Sequence, residues 1–474
     1  MPSQLPLAPG TARLLPWIVA IAFFMQTLDG TILNTALPAM AHDLAEDPLR
    51  MQSVVIAYML TVALLIPASG WIADRFGTRR IFFGAILLFS LGSLLCALST
   101  SLTQLALARI VQGLGGALML PVGRLVVLRA YPRSELVRIM GFVTIPGLLG
   151  PLIGPTLGGW LVQYATWHWI FLINLPVGLL GCIAALRVMP DLRGPERSRF
   201  DTPGFLLFGA AMVLITIALE GLGELHLPHL RVLMLLFAGM ACLAAYWLRA
   251  GQVEHALFPP RLFHTRTFAI GILGNLFARL GSGALPFLVP LLLQVALGHS
   301  PAVAGMSMIP LALAAMLAKS LARPLIERFG YRSILTGNTL ALGVGLASLA
   351  LVDPQHPYWL LLVQLAVLGG INSLQFTAMN TVTLIDLDDR SASSGNSLLS
   401  VVAQLSLSLG VASAAALLGG FTADIGQEVD SVLGAFQATF LCVGVLTMLA
   451  AAIFLQLTGA EGRRVQPPEN LPED

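Results

Sequence analysis

Long apolar stretches separated by short polar loops run through almost the whole chain. A membrane-spanning helix needs about 20 mostly apolar residues, and fourteen such stretches follow one another in the sequence. The pattern predicts an all-α integral membrane protein with fourteen transmembrane helices. The predicted spans cover residues 16–40, 52–73, 81–99, 102–126, 138–163, 169–188, 203–222, 231–249, 267–293, 302–322, 333–351, 358–381, 397–419 and 436–457.

The basic residues predict the orientation of these spans, because Lys and Arg are enriched in cytoplasmic loops. If the N-terminus is cytoplasmic, twenty of the 26 Lys and Arg residues lie in inward loops or tails. Only Arg50 and Arg231 then lie outside. We therefore expect both termini to lie in the cytoplasm.

A charged segment occurs twice, each time in an inward loop. GWIADRFGTRRI runs from Gly70 to Ile81, and ARPLIERFGYRSI runs from Ala322 to Ile334. The second copy lacks the leading glycine. Charges that break and reform at one surface suit a gate between two halves of a protein, although solvated anchoring charges give the same pattern. The candidate gate residues are Gly70, Asp74, Arg75, Gly77 and Arg79 in the first copy, and Glu327, Arg328, Gly330 and Arg332 in the second.

This repeat predicts two six-helix bundles with two further helices inserted between them, an arrangement typical of transporters. The chain then divides into a cytoplasmic tail (1–15), an N-terminal bundle (16–188), a cytoplasmic loop (189–202), two inserted helices (203–249), a cytoplasmic linker (250–266), a C-terminal bundle (267–457) and a second cytoplasmic tail (458–474).

Composition narrows the class further. Hydrophobic residues make up 57% of the chain and charged residues 11%, whereas soluble proteins carry about 25% charged residues. A net charge of +2 gives no field for nucleic acid. The four cysteines have no metal-binding spacing. We expect no metal site, no cofactor and no enzymatic activity, and the absence of a nucleotide-binding domain excludes a primary pump.

Two charged residues lie deep within predicted spans, Asp29 in the first and Arg109 in the fourth. A charge at that depth costs on the order of 3 kcal/mol unless it is paired or faces water. Arginine stays charged, whereas the proton affinity of a carboxylate depends on its neighbours. A proton-coupling pair and a purely structural pair both remain open.

A run of glycines and prolines marks the fifth span. Glycines four residues apart share one helix face and allow close helix contact, and prolines favour a kink. A pliable helix between two moving halves and simple tight packing both fit this run. Its residues are Gly147, Gly150, Pro151, Gly154, Pro155, Gly158 and Gly159.

Further polar residues within the spans are candidates for contact with a small-molecule substrate. Arg279 and Lys319 favour anionic or zwitterionic substrates, such as small carboxylates or their metal chelates, because both are cations. Alternatively, Arg279 satisfies backbone carbonyls and Lys319 extends to the membrane surface. The candidates are Gln26, Asn34, Gln112, Asn275, Arg279, Lys319, Asn372, Gln375 and Gln404.

Four motifs in order resemble those of the major facilitator superfamily. GWIADRFGTRR is similar to its signature between the second and third helices. Leu105–Ala117, Gly147–Trp160 and Leu28–Met40 resemble the fourth-, fifth- and first-helix motifs of its fourteen-helix drug:proton antiporters. The resemblance implies proton-driven multidrug export by alternating access in the bacterial inner membrane. It links Arg109 to proton coupling, and we expect a monomer that uses the proton gradient.

Two other functions compete with transport. A receptor or structural subunit on a transporter scaffold is disfavoured, because the chain has no sensory or docking domain. A membrane enzyme is disfavoured, because no nucleophile motif or metal-ligand spacing appears in the sequence.

Overall fold

The computed structural model describes residues 9–193, 200–223, 229–253, 255–425 and 429–458. In these residues every regular element is a helix. Thirteen of the described helical stretches are long and apolar enough to cross a membrane. One of them, Pro301–Leu351, has 51 residues, and a helix of that length spans about 75 Å, more than twice the apolar thickness of a bilayer. It divides at Gly330, whose φ of 76° is not helical, so these residues form fourteen spans.

The described spanning helices are numbered here in chain order. They are α1 (Pro9–Ile32), α2 (Gln52–Phe76), α3 (Thr78–Ala97), α4 (Leu102–Ala130), α5 (Arg133–Tyr164), α6 (Asn174–Val188, after a helical turn at Trp169–Leu172), α7 (Thr202–Gly223), α8 (His229–Ala250), α9 (Arg266–Leu291), α10 (Pro301–Ser307, Ile309–Ala318 and the part of Ala322–Ser348 before Gly330), α11 (the part of Ala322–Ser348 after Gly330), α12 (Tyr358–Leu384), α13 (Asp389–Ile425) and α14 (Val429–Leu449).

The helices pack as two bundles of six. In the first, α1 lies along α5, and α4 packs against both α2 and α3. In the second, α9 lies along α13, α10 along α12, and α11 along α14. The bundles meet along two seams, α2 with α13 and α5 with the segment that begins α10. Helices α7 and α8 pack on each other, and α7 also contacts α13. The predicted fold class is confirmed.

Among the described residues, the two bundles share a broad core at one end of the molecule and a narrower contact at the other. We call the end that carries Gly77, the described part of 189–202 and the described part of 250–266 the arginine-rich end, and the opposite end the far end. At the far end one core joins both bundles, with Leu37 from the first and Phe287 and Phe436 from the second.

At the arginine-rich end each bundle has its own core, around Phe82 in the first and Phe454 in the second. There the bundles are joined through a cluster along the seam of α2 and α13. The halves are therefore packed together at the far end and largely apart at the arginine-rich end.

Two helix boundaries differ from the sequence prediction for physical reasons. The first span was expected at residues 16–40, but α1 ends at Ile32, and a short helix, Leu37–Asp43, follows. Pro38 occupies the first turn of that short helix, where its missing N–H is tolerated. Helix α13 extends well beyond the predicted 397–419, because hydropathy detects the apolar part of a helix and not its polar ends.

Candidate functional site

Asp29 and Arg109 form a salt bridge inside the first bundle. Arg109 Nη1 lies 2.6 Å from Asp29 Oδ2, and each residue is 1% exposed. Hydropathy predicted the depth of both residues in the membrane but not the contact between them. A buried ion pair is tolerated only when hydrogen bonds satisfy its remaining donors and acceptors.

A polar network supplies those hydrogen bonds. Gln112 Nε2 donates to Asp29 Oδ1 at 2.7 Å, and Asn174 Nδ2 donates to the same oxygen at 3.2 Å. Both amides also donate to Ser93 Oγ at 2.9 Å. Asp29 therefore accepts hydrogen bonds from three side chains, those of Arg109, Gln112 and Asn174.

Two further contacts surround the guanidinium of Arg109. Its Nε donates to the carbonyl oxygen of Val54 at 3.4 Å. The ring of Tyr58 lies over it, with Arg109 Cζ 4.2 Å from the ring centroid, an arrangement that attracts a cation. The network thus ties α1, α2, α3, α4 and α6 together.

A central cavity of about 280 Å³ lies between the two bundles. Of the predicted substrate residues, Asn34, Lys319 and Asn372 line it. Lys319 is the one charged group among its described lining residues. The cavity is otherwise mostly apolar, and its other described lining residues are Thr31, Pro151, Pro155, Pro286, Pro290, Met308, Leu311, Ala312, Ala315, Met316, Ser373, Phe376 and Thr377.

Several predicted substrate residues lie elsewhere. Asn275 Nδ2 donates to the carbonyl oxygen of Gly271 at 2.9 Å, inside the second bundle. Gln375 Nε2 donates to Thr339 Oγ1 at 2.7 Å, also inside that bundle. Gln112 belongs to the Asp29 network, and Gln404 is half-buried on α13.

Arg279 lies behind the wall of the central cavity. It is 4% exposed, and its guanidinium carbon lies 3.9 Å from the centroid of the Phe376 ring. Its Nε and Nη2 atoms have no hydrogen-bond partner among the described residues. Phe376 lines the cavity, so one aromatic ring separates this cation from the space between the bundles.

A second cavity, which we call the vestibule, opens near the arginine-rich end. Its volume is about 490 Å³, and it lies between α2, α4 and the start of α13. Gln26, another predicted substrate residue, lines it. The described lining residues from the other helices include Gly70, Asp74, Gly116, Arg124, Asn396 and Ser400.

The first copy of the charged motif is held on both sides. Asp74 Oδ1 lies 2.6 Å from Arg129 Nη1 at the end of α4. Arg79 Nε donates to the carbonyl oxygen of Met189. Gly77 has a φ of 91°, and a Cβ there would lie 2.2 Å from Asp191 Oδ1. A glycine is therefore needed at this position, both for its backbone conformation and for the close approach.

The residues around the first copy extend this contact towards the inserted helices. The Trp71 ring stacks on Phe200, with centroids 4.9 Å apart, and the guanidinium of Arg75 lies 5.4 Å from the Trp71 ring centroid. Asp201, which follows Phe200, forms a 2.8 Å ion pair with Arg249 at the end of α8. The first copy of the charged motif is thus in contact with residues at the start of the two inserted helices, α7 and α8.

The second copy lies on an exposed surface. Glu327 pairs with Arg323 on the same helix, and their side chains are 62% and 87% exposed. Gly330 also has a positive φ, 76°, but a Cβ there would meet nothing within 4 Å among the described atoms. Arg328 lies over the ring of its neighbour Phe329, and Arg332 is exposed.

The glycine face of α5 packs on α1 and on the second bundle. Added Cβ atoms at Gly150 and Gly154 would lie 2.4 Å and 2.2 Å from the Thr27 and Thr31 hydroxyl oxygens. A Cβ at Gly159 would lie 2.2 Å from the carbonyl oxygen of Pro301, across the seam between the bundles. Gly147 and Gly158 likewise pack on α1. This face thus contributes to close packing both within the first bundle and between the bundles.

Sequence reasoning missed Ser93, Asn174, Tyr58 and Arg129. The first three lie in predominantly apolar segments, where a single neutral polar or aromatic residue gives no periodic signal. Arg129 counts among the basic residues of the inward loops, and that count predicts no partner for it. In the described residues, no group of three or more His, Cys, Asp or Glu side chains could hold a metal ion.

Comparison with known proteins agrees with this architecture. The chain matches the Major Facilitator Superfamily over residues 19–411 and 271–473. It is 51% identical over 442 residues to a Serratia proteamaculans protein named for multidrug resistance, MdtD, covering 93% of this chain and 92% of that protein. The protein of the same name from Pectobacterium atrosepticum is 50% identical over 447 residues, covering 94% and 96% of the two chains.

Solved structures show the same fold at low sequence identity. A POT family transporter in complex with a thioalcohol-conjugated peptide gives a TM-score of 0.68 at 16% identity, covering 94% of this chain and 95% of that one. A D-xylose–proton symporter gives 0.66 at 15% identity, covering 95% and 99%. The chain is a multi-pass membrane protein and belongs to the Major Facilitator Superfamily.

Proposed function

We propose that this protein is a proton-coupled exporter of small, largely apolar molecules, of the multidrug type, and not an enzyme. The observation that carries the proposal is the central cavity between two bundles that share a broad core at the far end and are joined mainly along the α2–α13 seam at the arginine-rich end. Apolar walls with a few polar groups suit a range of amphipathic substrates. The names of the MdtD relatives point the same way.

Asp29 is proposed as the group that carries the proton. Protonation of Asp29 removes the charge that Arg109 pairs with, and an uncompensated buried charge costs about 3–5 kcal/mol. Protonation therefore destabilises this conformation of the first bundle and favours a different one. Helix α1 contributes both Asp29 and the cavity-lining residue Thr31, and the cavity-lining Asn34 lies in the helical turn that follows α1, so a movement of α1 reaches the substrate.

The first copy of the charged motif is proposed to stabilise one of the two conformations between which the transporter alternates. Asp74 on α2 and Arg129 at the end of α4 hold the arginine-rich end of the first bundle together. With the orientation predicted from the basic residues, that end faces the cytoplasm, and the cavity loads from the cytoplasmic side. We further propose that the protein works as a monomer in the bacterial inner membrane, driven by the proton gradient without a cofactor.

Reconstitution into proteoliposomes tests the proposal. With an imposed pH gradient, the wild type is expected to move a lipophilic dye uphill and to move protons the opposite way. Asp29→Asn is expected to abolish uphill transport, because the side chain no longer binds and releases a proton, and to retain downhill exchange. Uphill transport by Asp29→Asn with an unchanged pH dependence would assign the proton to another group.

A further inference from the structure

The ion pair of Asp29 and Arg109 is sealed inside the first bundle. The charged or titratable groups that face Asp29 are Arg109 from α4, Tyr58 from α2 and Cys96 from α3. Helix α6 contributes the neutral Asn174, and α5 packs on this part of α1 through glycines. A proton that reaches or leaves Asp29 therefore needs a passage through side chains.

Tyr58 closes the side of the pair that faces the vestibule. It is 4% exposed, and its ring covers the Arg109 guanidinium. Its hydroxyl faces the side chain of Gln26, one helical turn before Asp29. Neither Tyr58 Oη nor Gln26 Oε1 has a hydrogen-bond partner in the described part of the chain. A buried polar atom without a partner costs about 1–3 kcal/mol, and a buried water that bonds both atoms offsets that cost.

Two residues that line the vestibule lie next to the same hydroxyl. Gln26 and Gly116 both line the vestibule. A Cβ at Gly116 would lie 2.6 Å from Tyr58 Oη, closer than any side chain tolerates. Gly116 thus leaves the space that the hydroxyl occupies against the vestibule wall. From the vestibule inwards, the order is Gln26 and Gly116, then the Tyr58 hydroxyl, then the ion pair.

We propose that Tyr58 and Gln26 form the proton passage between the vestibule and Asp29. The inference rests on the proposed function, because it takes Asp29 as the proton carrier. A hydroxyl both accepts and donates a hydrogen bond. Protonated Asp29 passes its proton through a bridging water to Tyr58 Oη, the hydroxyl gives its own proton to a vestibule water, and Gln26 Oε1 holds the bridging water. Asp29 is then ionised and pairs with Arg109, as in this structure.

Tyr58→Phe and Gln26→Leu test the passage in proteoliposomes that contain a pH-sensitive dye. Tyr58→Phe keeps the ring over Arg109 and removes only the hydroxyl. Proton flux during turnover is expected to fall at least about tenfold, since a positioned proton-transfer group contributes about 10²–10⁴-fold, and its solvent deuterium isotope effect is expected to change. Substrate binding and substrate–substrate counterflow are expected to stay at the wild-type level, because neither requires a net proton.

Matched variants separate the passage from general packing. Tyr246→Phe removes a different buried hydroxyl, one that bonds the backbone of Phe258 beside the inserted helices, and is expected to leave the proton flux unchanged. Gly116→Ala is expected to displace the Tyr58 hydroxyl and reproduce the Tyr58→Phe defect. Gly84→Ala, where a Cβ meets nothing within 4 Å, is its control.

Four outcomes decide between these explanations. A wild-type proton flux and isotope effect in both Tyr58→Phe and Gln26→Leu overturns the passage. An equal loss of counterflow and proton flux in both variants also overturns it, because a structural defect explains that result. If Asp29→Asn itself retains proton coupling, the proposal that Asp29 carries the proton is overturned, and the passage is overturned with it. If Asp29→Asn loses coupling while the passage variants do not, only the passage fails.

Discussion

Each half of the molecule carries a buried arginine and a copy of the charged motif, but in the described residues only the first half joins them to other helices by ion pairs. Arg109 meets Asp29 at 2.6 Å, whereas two guanidinium nitrogens of Arg279 have no partner among the described residues. Asp74 of the first motif joins a different helix, whereas Glu327 of the second pairs only within its own helix. The two motif copies keep charges at matching positions, Asp74 with Glu327 and Arg75 with Arg328, but the contacts of those charges differ.

On the proposed function, this difference gives the halves separate tasks. Protonation of Asp29 would disturb the paired charges of the first half, because the loss of one charge leaves its partner unpaired. The second half holds Arg279 behind the cavity wall and exposes its motif copy, so its charges are proposed to act on the substrate or the solvent. Four pairs of variants test this division. Three pairs compare a residue of the first half with one of the second, and the fourth compares a residue that lines the central cavity with a neighbour that does not.

The largest difference is expected between Arg109→Gln and Arg279→Gln. Arg109→Gln leaves Asp29 buried and unpaired, which costs about 3–5 kcal/mol, so we expect a clear fall in melting temperature and no transport. Arg279→Gln removes unpartnered buried donors, so its melting temperature is expected to stay level or rise. The measurement is thermal unfolding of the detergent-purified protein. Equal destabilisation by the two variants would show that the guanidinium of Arg279 has polar partners that stabilise the protein as much as those of Arg109.

A smaller difference is expected between the motif glycines. Gly77→Ala and Gly330→Ala each place a Cβ at a positive φ, which costs roughly 1–2 kcal/mol. Only Gly77→Ala adds a clash, with Asp191. We expect Gly77→Ala to lower both the melting temperature and transport, and Gly330→Ala to lower the melting temperature slightly with transport retained. A reversed order would place the working gate in the second copy.

The sequence predicted much of this arrangement, and the limits of that prediction have physical causes. Hydropathy gives the depth of Asp29 and Arg109 but not the rotation of their helices, so their contact was not predictable. The same limit applies to Gln112 and Gln375, because a polar residue at mid-membrane is compatible with a cavity and with a buried network alike. The motif repeat predicted two halves. Because both copies contain similar residues, the sequence did not show that Gly77 is packed against Asp191 while Gly330 has no close neighbour among the described atoms.

The motif acids are expected to differ by about tenfold in transport, equivalent to about 1.4 kcal/mol between two conformations. Asp74→Asn breaks the link between α2 and α4 and is expected to slow transport, while substrate binding stays near the wild-type level because Asp74 does not line the central cavity. Glu327→Gln breaks only an exposed pair within one helix, and such pairs contribute little. Initial rates of dye export in matched proteoliposomes measure both. A loss of transport in Glu327→Gln equal to that in Asp74→Asn would give the two copies one role.

The smallest effect is expected at Lys319, which gives the central cavity its charge from the second half. The first half contributes the neutral Thr31 and Asn34 to the same cavity. Lys319 is exposed, so solvent weakens its attraction for an anion, and exposed pairs contribute about 0.2–1 kcal/mol.

Lys319→Gln is therefore expected to weaken competition by an anionic compound about two- to fivefold, and to leave competition by its neutral amide analogue unchanged. Arg323→Gln removes a cation one turn away that does not line the cavity, and is expected to affect neither compound. If Lys319→Gln changes both competitors equally, the lysine acts on the shape of the cavity and not through its charge. If no anion competes in the wild type, small carboxylates and their chelates are excluded as substrates, and the cavity selects its substrates by their apolar surface.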